Sequence, residues 1–250
     1  MNPIVEIVVL VGVGFIAGAI NTLAGGGSLL TLPILIFLGL PPSIANGTNR
    51  IAILFQNVFT TAGFKSKGIK TFPFSIYVGI SALLGSIVGA QIAIDIKGET
   101  FNRILAIIMV VVVFYMVFSS KKRLADTIER TTNKHLWISI LLFFFIGIYG
   151  GFIQAGVGFI ILLVLSSVNN FSLVKSNAIK VLVVLIYTCS AVSIFALNDK
   201  INWKIGLTLA IGNSIGGWLA SRWSVKKGDH LVRKFLIVMV VIMAIKLWFF

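Results

Sequence analysis

Apolar runs of about 20 residues, interrupted by charge, glycine or proline, organise nearly the whole chain. They make ten segments: 4–23, 28–40, 43–63, 72–94, 101–119, 136–154, 159–168, 174–196, 203–221 and 234–250. A run of about 20 residues rises about 30 Å as a helix, the thickness of bilayer hydrocarbon. Barrel strands would instead alternate apolar and polar positions over about ten residues, and no stretch does so. The pattern predicts an all-α integral membrane protein. The second and seventh segments have only 13 and 10 residues, too few to cross alone. Each follows a glycine-containing break, Ala24-Gly25-Gly26-Gly27 in one case and Ala155-Gly156-Val157-Gly158 in the other. Irregular backbone at membrane depth is tolerated only inside protein or beside a water-filled cavity. Each break therefore marks either a re-entrant hairpin or a broken pair of crossings.

The two broken stretches are copies. Asn21–Arg50 recurs in weaker form at Gln154–Val181, about 131 residues later, with Asn177 in the place of Asn46. Glycines at i and i+4 recur too: Gly14/Gly18 matches Gly147/Gly151, and Gly85/Gly89 matches Gly212/Gly216. Such pairs let helices approach closely in lipid, and leave packing within one subunit or across a homodimer both open.

Loop charge orients the copies. If the basic 121–135 loop faces the cytoplasm, alternation puts 14 Lys and Arg on that side and 4 on the other, a clear positive-inside bias. The halves are then inverted, as in many secondary transporters whose substrate site lies near the midplane. The expected organisation is residues 1–120 as a first transmembrane repeat, 121–135 as a cytoplasmic linker and 136–250 as a second repeat. Counted by length, that is eight full spans and two short segments, with both termini extracytoplasmic.

Composition agrees, since 58% of residues are hydrophobic and 11% charged. The net charge of +14 is explained by loop residues that set orientation and contact lipid, so no nucleic-acid partner is expected. Cys189 is alone in an apolar segment, and His135 and His230 are far apart in basic loops; neither a metal site nor a cofactor is expected. No cluster of His, Cys or acid lies in the segments, which argues against an enzyme. The N-terminal stretch lacks a basic leader and carries Glu6, so it is expected to be a first helix rather than a signal peptide.

The candidate chemistry lies at the breaks. A helix beginning after Gly27 presents free amides of the Gly25-Gly26-Gly27 run at its positive end, where an anion is favoured. Ser28 adds a hydroxyl, whereas Phe159 stands at the matching place of the second half. Arg50 lies one turn past Asn46, and Lys180 nearly one turn past Asn177, so each cation shares a face with its asparagine. Embedded cations mark functional sites unless they snorkel from helix ends, and both readings stay open here. The seven acids all fall in loops or near helix ends, which disfavours a cation pathway or a carboxylate proton relay.

The stretch Gly18–Leu35, followed by a proline-bearing turn and Ala45-Asn46-Gly47-Thr48-Asn49-Arg50, resembles the sulfite exporter TauE/SafE family of membrane permeases. The resemblance runs over the whole chain and implies transport of sulfite, organosulfonates or related oxyanions across the bacterial inner membrane. It carries over onto Asn21, Gly25, Gly26, Gly27, Ser28, Pro33, Asn46, Thr48, Asn49 and Arg50, and loosely onto Gln154, Gly156, Gly158, Asn177 and Lys180. Val157 and Phe159 depart from the fuller glycine-rich form. The expectation is a secondary transporter of a small sulfur oxyanion, with the anion held by glycine-rich helix N-termini and by Arg50. Its alternatives are a channel-like anion uniporter and a non-transporting assembly or anchoring subunit.

Overall fold

A computed structural model describes residues 3–118 and 129–224, with side chains from 4 to 111 and from 129 to 224. Among the described residues nine helices follow one another: α1 Pro3–Leu23, α2 Ser28–Phe37, α3 Pro42–Lys65, α4 Phe74–Asp95, α5 Gly98–Phe118, α6 Asn133–Phe152, α7 Val157–Ser167, α8 Leu173–Leu197 and α9 Trp203–Trp223. No strand occurs among the described residues. The first nine apolar segments are thus helices, in order; the tenth, 234–250, and most of the 121–135 linker lie outside the described residues. Helix ends outrun the apolar runs where polar residues start them. Ser172 caps α8 by accepting from the Lys175 amide at 3.3 Å, and Asn202 caps α9 by accepting from that of Ile205 at 3.1 Å. Conversely α2 stops at Phe37, because Gly39 turns the chain at a φ of +94°.

Among the described residues four helices are long and apolar enough to cross a membrane by length and composition: Ile4–Leu23 in α1, Phe74–Asp95, Asn133–Phe152 and Leu173–Leu197. α3 is as long but less apolar, because Asn46, Asn49, Arg50, Gln56 and Asn57 lie on it, all buried. Meanwhile Ile80, Leu84, Val88 and Ile92 form one exposed stripe on α4, and Leu207, Ile211, Ile215 and Leu219 another on α9. Polar side chains inside and apolar stripes outside are the arrangement that a lipid solvent requires.

The glycines reveal how the helices run. Cβ atoms at Gly14 and Gly18 of α1 would collide with the backbone at Leu209 and Asn213 of α9, so the two helices lie parallel. Gly47 and Gly63 of α3 face Lys200 and Ser221 in the same sense. α1 and α3 therefore start at one end of the bundle, and α2, separated from α3 by residues 38–41 alone, must return to it. α1 and α2 make a helical hairpin. On the other side Gly85 and Gly89 of α4 face Phe144 and Ile148 of α6, again parallel. Gly79 meets Ile186, and Ser190 donates to the Leu83 carbonyl, so α8 runs with α4. α6 and α7 are then a second hairpin. Because Phe64 packs on Ala178 while Gly47 faces Phe195, α3 and α8 are antiparallel, and the hairpins enter from opposite ends.

Every predicted glycine pair is spent within the chain, α1 on α9 and α4 on α6. A leucine at Gly89, whose Cβ would strike the Ile148 backbone, is expected to cost about 3 kcal/mol or more and to lose monodisperse protein on size exclusion. Gly12→Leu is the control, since nothing among the described residues lies within 4 Å of a Cβ there. Equal yields from the two variants would refute this packing. Each hairpin has its own apolar bed: Leu29, Leu32 and Leu35 of α2 cluster with Phe101, Leu105 and Met109 of α5. Ile161 and Leu165 of α7 cluster with Phe143, Val78 and Val183.

Candidate functional site

The two hairpin tips meet. Gly25 has a φ of +87°, and a Cβ on it would stand 2.5 Å from the Gly158 Cα, so glycine is needed both for the turn and for the contact between breaks. Gly156 turns the second break at a φ of +71°, and Gln154 is held left-handed at +66°. The tips are joined by Ser28 Oγ, which donates to the Gln154 carbonyl at 3.2 Å. The amides of Gly26 and Gly27 make no hydrogen bond among the described residues, as expected for the first turn of a helix.

Both embedded cations are buried, and both reach carbonyls at the end of a hairpin's first helix. Lys180 Nζ donates to the carbonyls of Asn21 at 2.8 Å and Thr22 at 3.1 Å, and to Asn177 Oδ1 at 2.6 Å. Asn177 Nδ2 takes the next carbonyl, that of Leu23, at 3.2 Å. Arg50 repeats the device on α6, with Nη1 donating to the Gly150 carbonyl at 2.9 Å and Nη2 to those of Gly151 at 2.5 Å and Phe152 at 3.3 Å. Asn46 Nδ2 also donates to the Phe152 carbonyl, at 2.7 Å. A helix C-terminus carries roughly half a negative charge and leaves its last carbonyls without partners. A cation with an asparagine beside it satisfies both needs inside the protein.

The two cations differ in where they stand. A cavity of about 10 Å³, room for one water, is lined by Asn21, Ser28, Ile53, Asn57, Gln154, Val157, Gly158, Lys180 and Val184. Lys180 is on its wall. Arg50 is behind it, reaching the lining only through Gln154, whose Oε1 accepts from Nη1 at 2.8 Å. The lining contains no Asp or Glu, and no acid is buried among the described residues.

Of the residues expected from sequence, the cavity gathers Asn21, Ser28, Gln154, Gly158 and Lys180. Gly25, Gly26, Gly27 and Gly156 shape the tips without lining it. Asn46, Arg50 and Asn177 brace the tips, and Asn49 Oδ1 accepts from Thr31 Oγ1 at 2.6 Å, tying α2 to α3. The expected asymmetry therefore changes: the second half supplies the cation on the wall. Asn57 is a lining residue that the motif did not include. Its signal was the polar stripe Asn46, Asn49, Arg50, Gln56, Asn57, Thr60, which holds one face of α3 over four turns. Gln56 belongs to the supporting layer, where its Oε1 accepts from Asn21 Nδ2 at 3.1 Å.

Residues 10–247 match the family described as Sulfite exporter TauE/SafE. A "Probable membrane transporter protein" of Haemophilus influenzae is 28% identical over 96% of this chain and 93% of its own. "Probable membrane transporter protein YfcA" of Escherichia coli K12 is 26% identical over 96% of this chain and 88% of its own. A Sinorhizobium relative, "Probable membrane transporter protein ORF9", is 25% identical over 93% and 88%. No solved structure matches the chain.

Proposed function

Because the chain belongs to the sulfite exporter TauE/SafE family, a family of multi-pass membrane transporters, we propose that it is a secondary transporter of a small sulfur oxyanion such as sulfite or an organosulfonate. The reading is carried by one observation: where two hairpin tips meet, the buried Lys180 lines a polar cavity that has no acid in its wall. An anion there would face the Lys180 charge, whose protons go to Asn21, Thr22 and Asn177, and would take the remaining side-chain amide protons of Asn21, Asn57 and Gln154. The first turns of α2 and α7, at Ser28 and Gly158, add the positive ends of two helices. Arg50 serves from behind, holding Gln154 and the α6 tip in place. Without a carboxylate in the lining, any proton coupling rides on the anion's own protonation.

The architecture follows the same proposal. Residues 1–120 and 136–250 are inverted repeats, each with one re-entrant hairpin and three crossings, the last crossing being the 234–250 segment read from its sequence. The 121–135 linker and the lysine-bearing end of α3 face the cytoplasm of a bacterial cell, and the termini face outward. A cavity with room for one water suits an occluded carrier rather than an open pore.

Purified protein titrated with sulfite, sulfate, thiosulfate, taurine and acetate tests the class of substrate. At a hundred times Kd the correct anion should stabilise the fold by about 2.7 kcal/mol, a rise of roughly 5 °C in melting temperature. Potassium and sodium, varied with a common anion, should give none. If no oxyanion moves the transition, the proposed site is not an anion site.

A further inference from the structure

A second cavity, of about 250 Å³, opens at the lysine-bearing end of α3 and is lined by Thr61, Phe64, Lys65, Ile69, Lys70, Thr71, Phe72 and Ala178. It continues the ridge that lines the first. Ile53, Asn57, Thr61 and Lys65 stand four residues apart on one face of α3, the first two on the central cavity and the last two on this one. Asn57 and Thr61 are about 6 Å apart along the helix axis. Across the seam α8 also touches both cavities, with Val184 and Lys180 on the central one and Ala178, on another face of the helix, on the second. The Thr61 hydroxyl is buried without a hydrogen-bond partner among the described residues, as are Asn49 Nδ2, Arg50 Nε and Thr60 Oγ1 on the same helix.

Phe64 and Ala178 of the second cavity's lining pack with Val181, the chain neighbour of Lys180, in a small apolar cluster separate from the main cores. Phe64 is its one large side chain and is 2% exposed. At the far end of the same helix pair stands a counterpart. Phe195 follows Phe64 by about 131 residues and lies against Gly47, just as Phe64 lies against Ala178, which follows Gly47 by the same interval. The Arg50 guanidinium sits 4.7 Å from the Phe195 ring centroid.

We propose that the Thr61 cavity is the vestibule through which the anion leaves or enters on the lysine-bearing side, that Phe64 is the gate between it and the central cavity, and that Phe195 is the gate of the opposite side. The proposal rests on the transporter reading above. Lys65 and Lys70 at the rim collect anions, the small Ala178 gives the Phe64 ring room to swing, and Thr61 offers a hydroxyl on the way. A single ridge of α3 then carries the substrate past one aromatic side chain per side.

The test needs no substrate, so its outcome is independent of whether sulfite is the right anion. In a Cys189→Ser background, which removes the chain's one cysteine, Thr61→Cys and Asn57→Cys are each exposed to a sulfonate-bearing methanethiosulfonate in everted and in right-side-out vesicles. Thr61→Cys should label from the lysine-bearing side alone, and should slow by about tenfold when Lys65 and Lys70 are both changed to Gln. Asn57→Cys should label at least about tenfold more slowly than Thr61→Cys, a gap that Phe64→Ala closes. Phe195→Ala is the control for general loosening, because it should open Asn57→Cys from the opposite side only. The proposal is overturned if Thr61→Cys is inert, if Phe64→Ala leaves Asn57→Cys protected, or if the two phenylalanine variants admit reagent from the same side. Labelling as expected with no oxyanion stabilising the protein would leave the pathway standing and remove sulfur oxyanions from it.

Discussion

Replacing Lys180 with glutamine is expected to abolish anion flux while leaving a folded protein. The glutamine amide can still donate to the carbonyls of Asn21 and Thr22, which Lys180 now caps at 2.8 and 3.1 Å, so the α1 tip keeps most of its support. What is lost is the positive charge on the cavity wall. A unit charge about 4 Å from an anion is worth about 4 kcal/mol at an effective dielectric of 20. Allowing for solvent that enters with the substrate, flux in reconstituted vesicles should fall on the order of a hundredfold. Lys180→Arg should recover part of it, since charge is kept while the geometry changes. Flux within about twofold of the parent in Lys180→Gln would remove Lys180 from the site.

Arg50 should behave differently, and the contrast separates a ligand from a brace. Its two terminal nitrogens donate to the carbonyls of Gly150, Gly151 and Phe152 and to Gln154 Oε1 and Asn46 Oδ1. Removing them leaves buried carbonyls unpaired at about 1–3 kcal/mol each. Arg50→Ala should therefore lower the melting temperature by roughly 10 °C or more, and Arg50→Lys should be only a partial remedy. A lysine ammonium has three donors on one nitrogen and cannot span carbonyls on both sides as a planar fork does. Flux would fail in Arg50→Ala because the hairpin tip is displaced. A variant that keeps its melting temperature and loses only flux would instead make Arg50 a direct ligand.

Much of this protein is legible in local pattern. Length and apolarity of the runs fix nine described helices, because a backbone in hydrocarbon must satisfy its own amides. The Ala24–Gly27 and Ala155–Gly158 breaks mark where that rule is suspended, and the copy at about 131 residues shows that it is suspended twice. Gly85/Gly89 and Gly212/Gly216 announce close helix contacts, although their partners, α6 and α1, lie in the other half of the chain. Asn57 was legible in principle, since it extends the polar stripe of α3 by one turn beyond Ile53.

By itself, then, the sequence determined the helices, their breaks and the absence of acids from the apolar runs, all of which are properties of short windows, whereas the burial of both cations came from the fold. Tertiary structure alone decided what those groups face. Arg50 and Lys180 look alike in sequence, each beside an asparagine on a helix that follows a break. Both donate to the carbonyls of a hairpin tip, Arg50 to ones about 100 residues away, but only Lys180 also stands on the cavity wall. The glycine run likewise looked open for a ligand, yet Gly25 is pressed against Gly158. Both outcomes depend on two hairpins entering from opposite ends, and no local periodicity encodes where two tips cross.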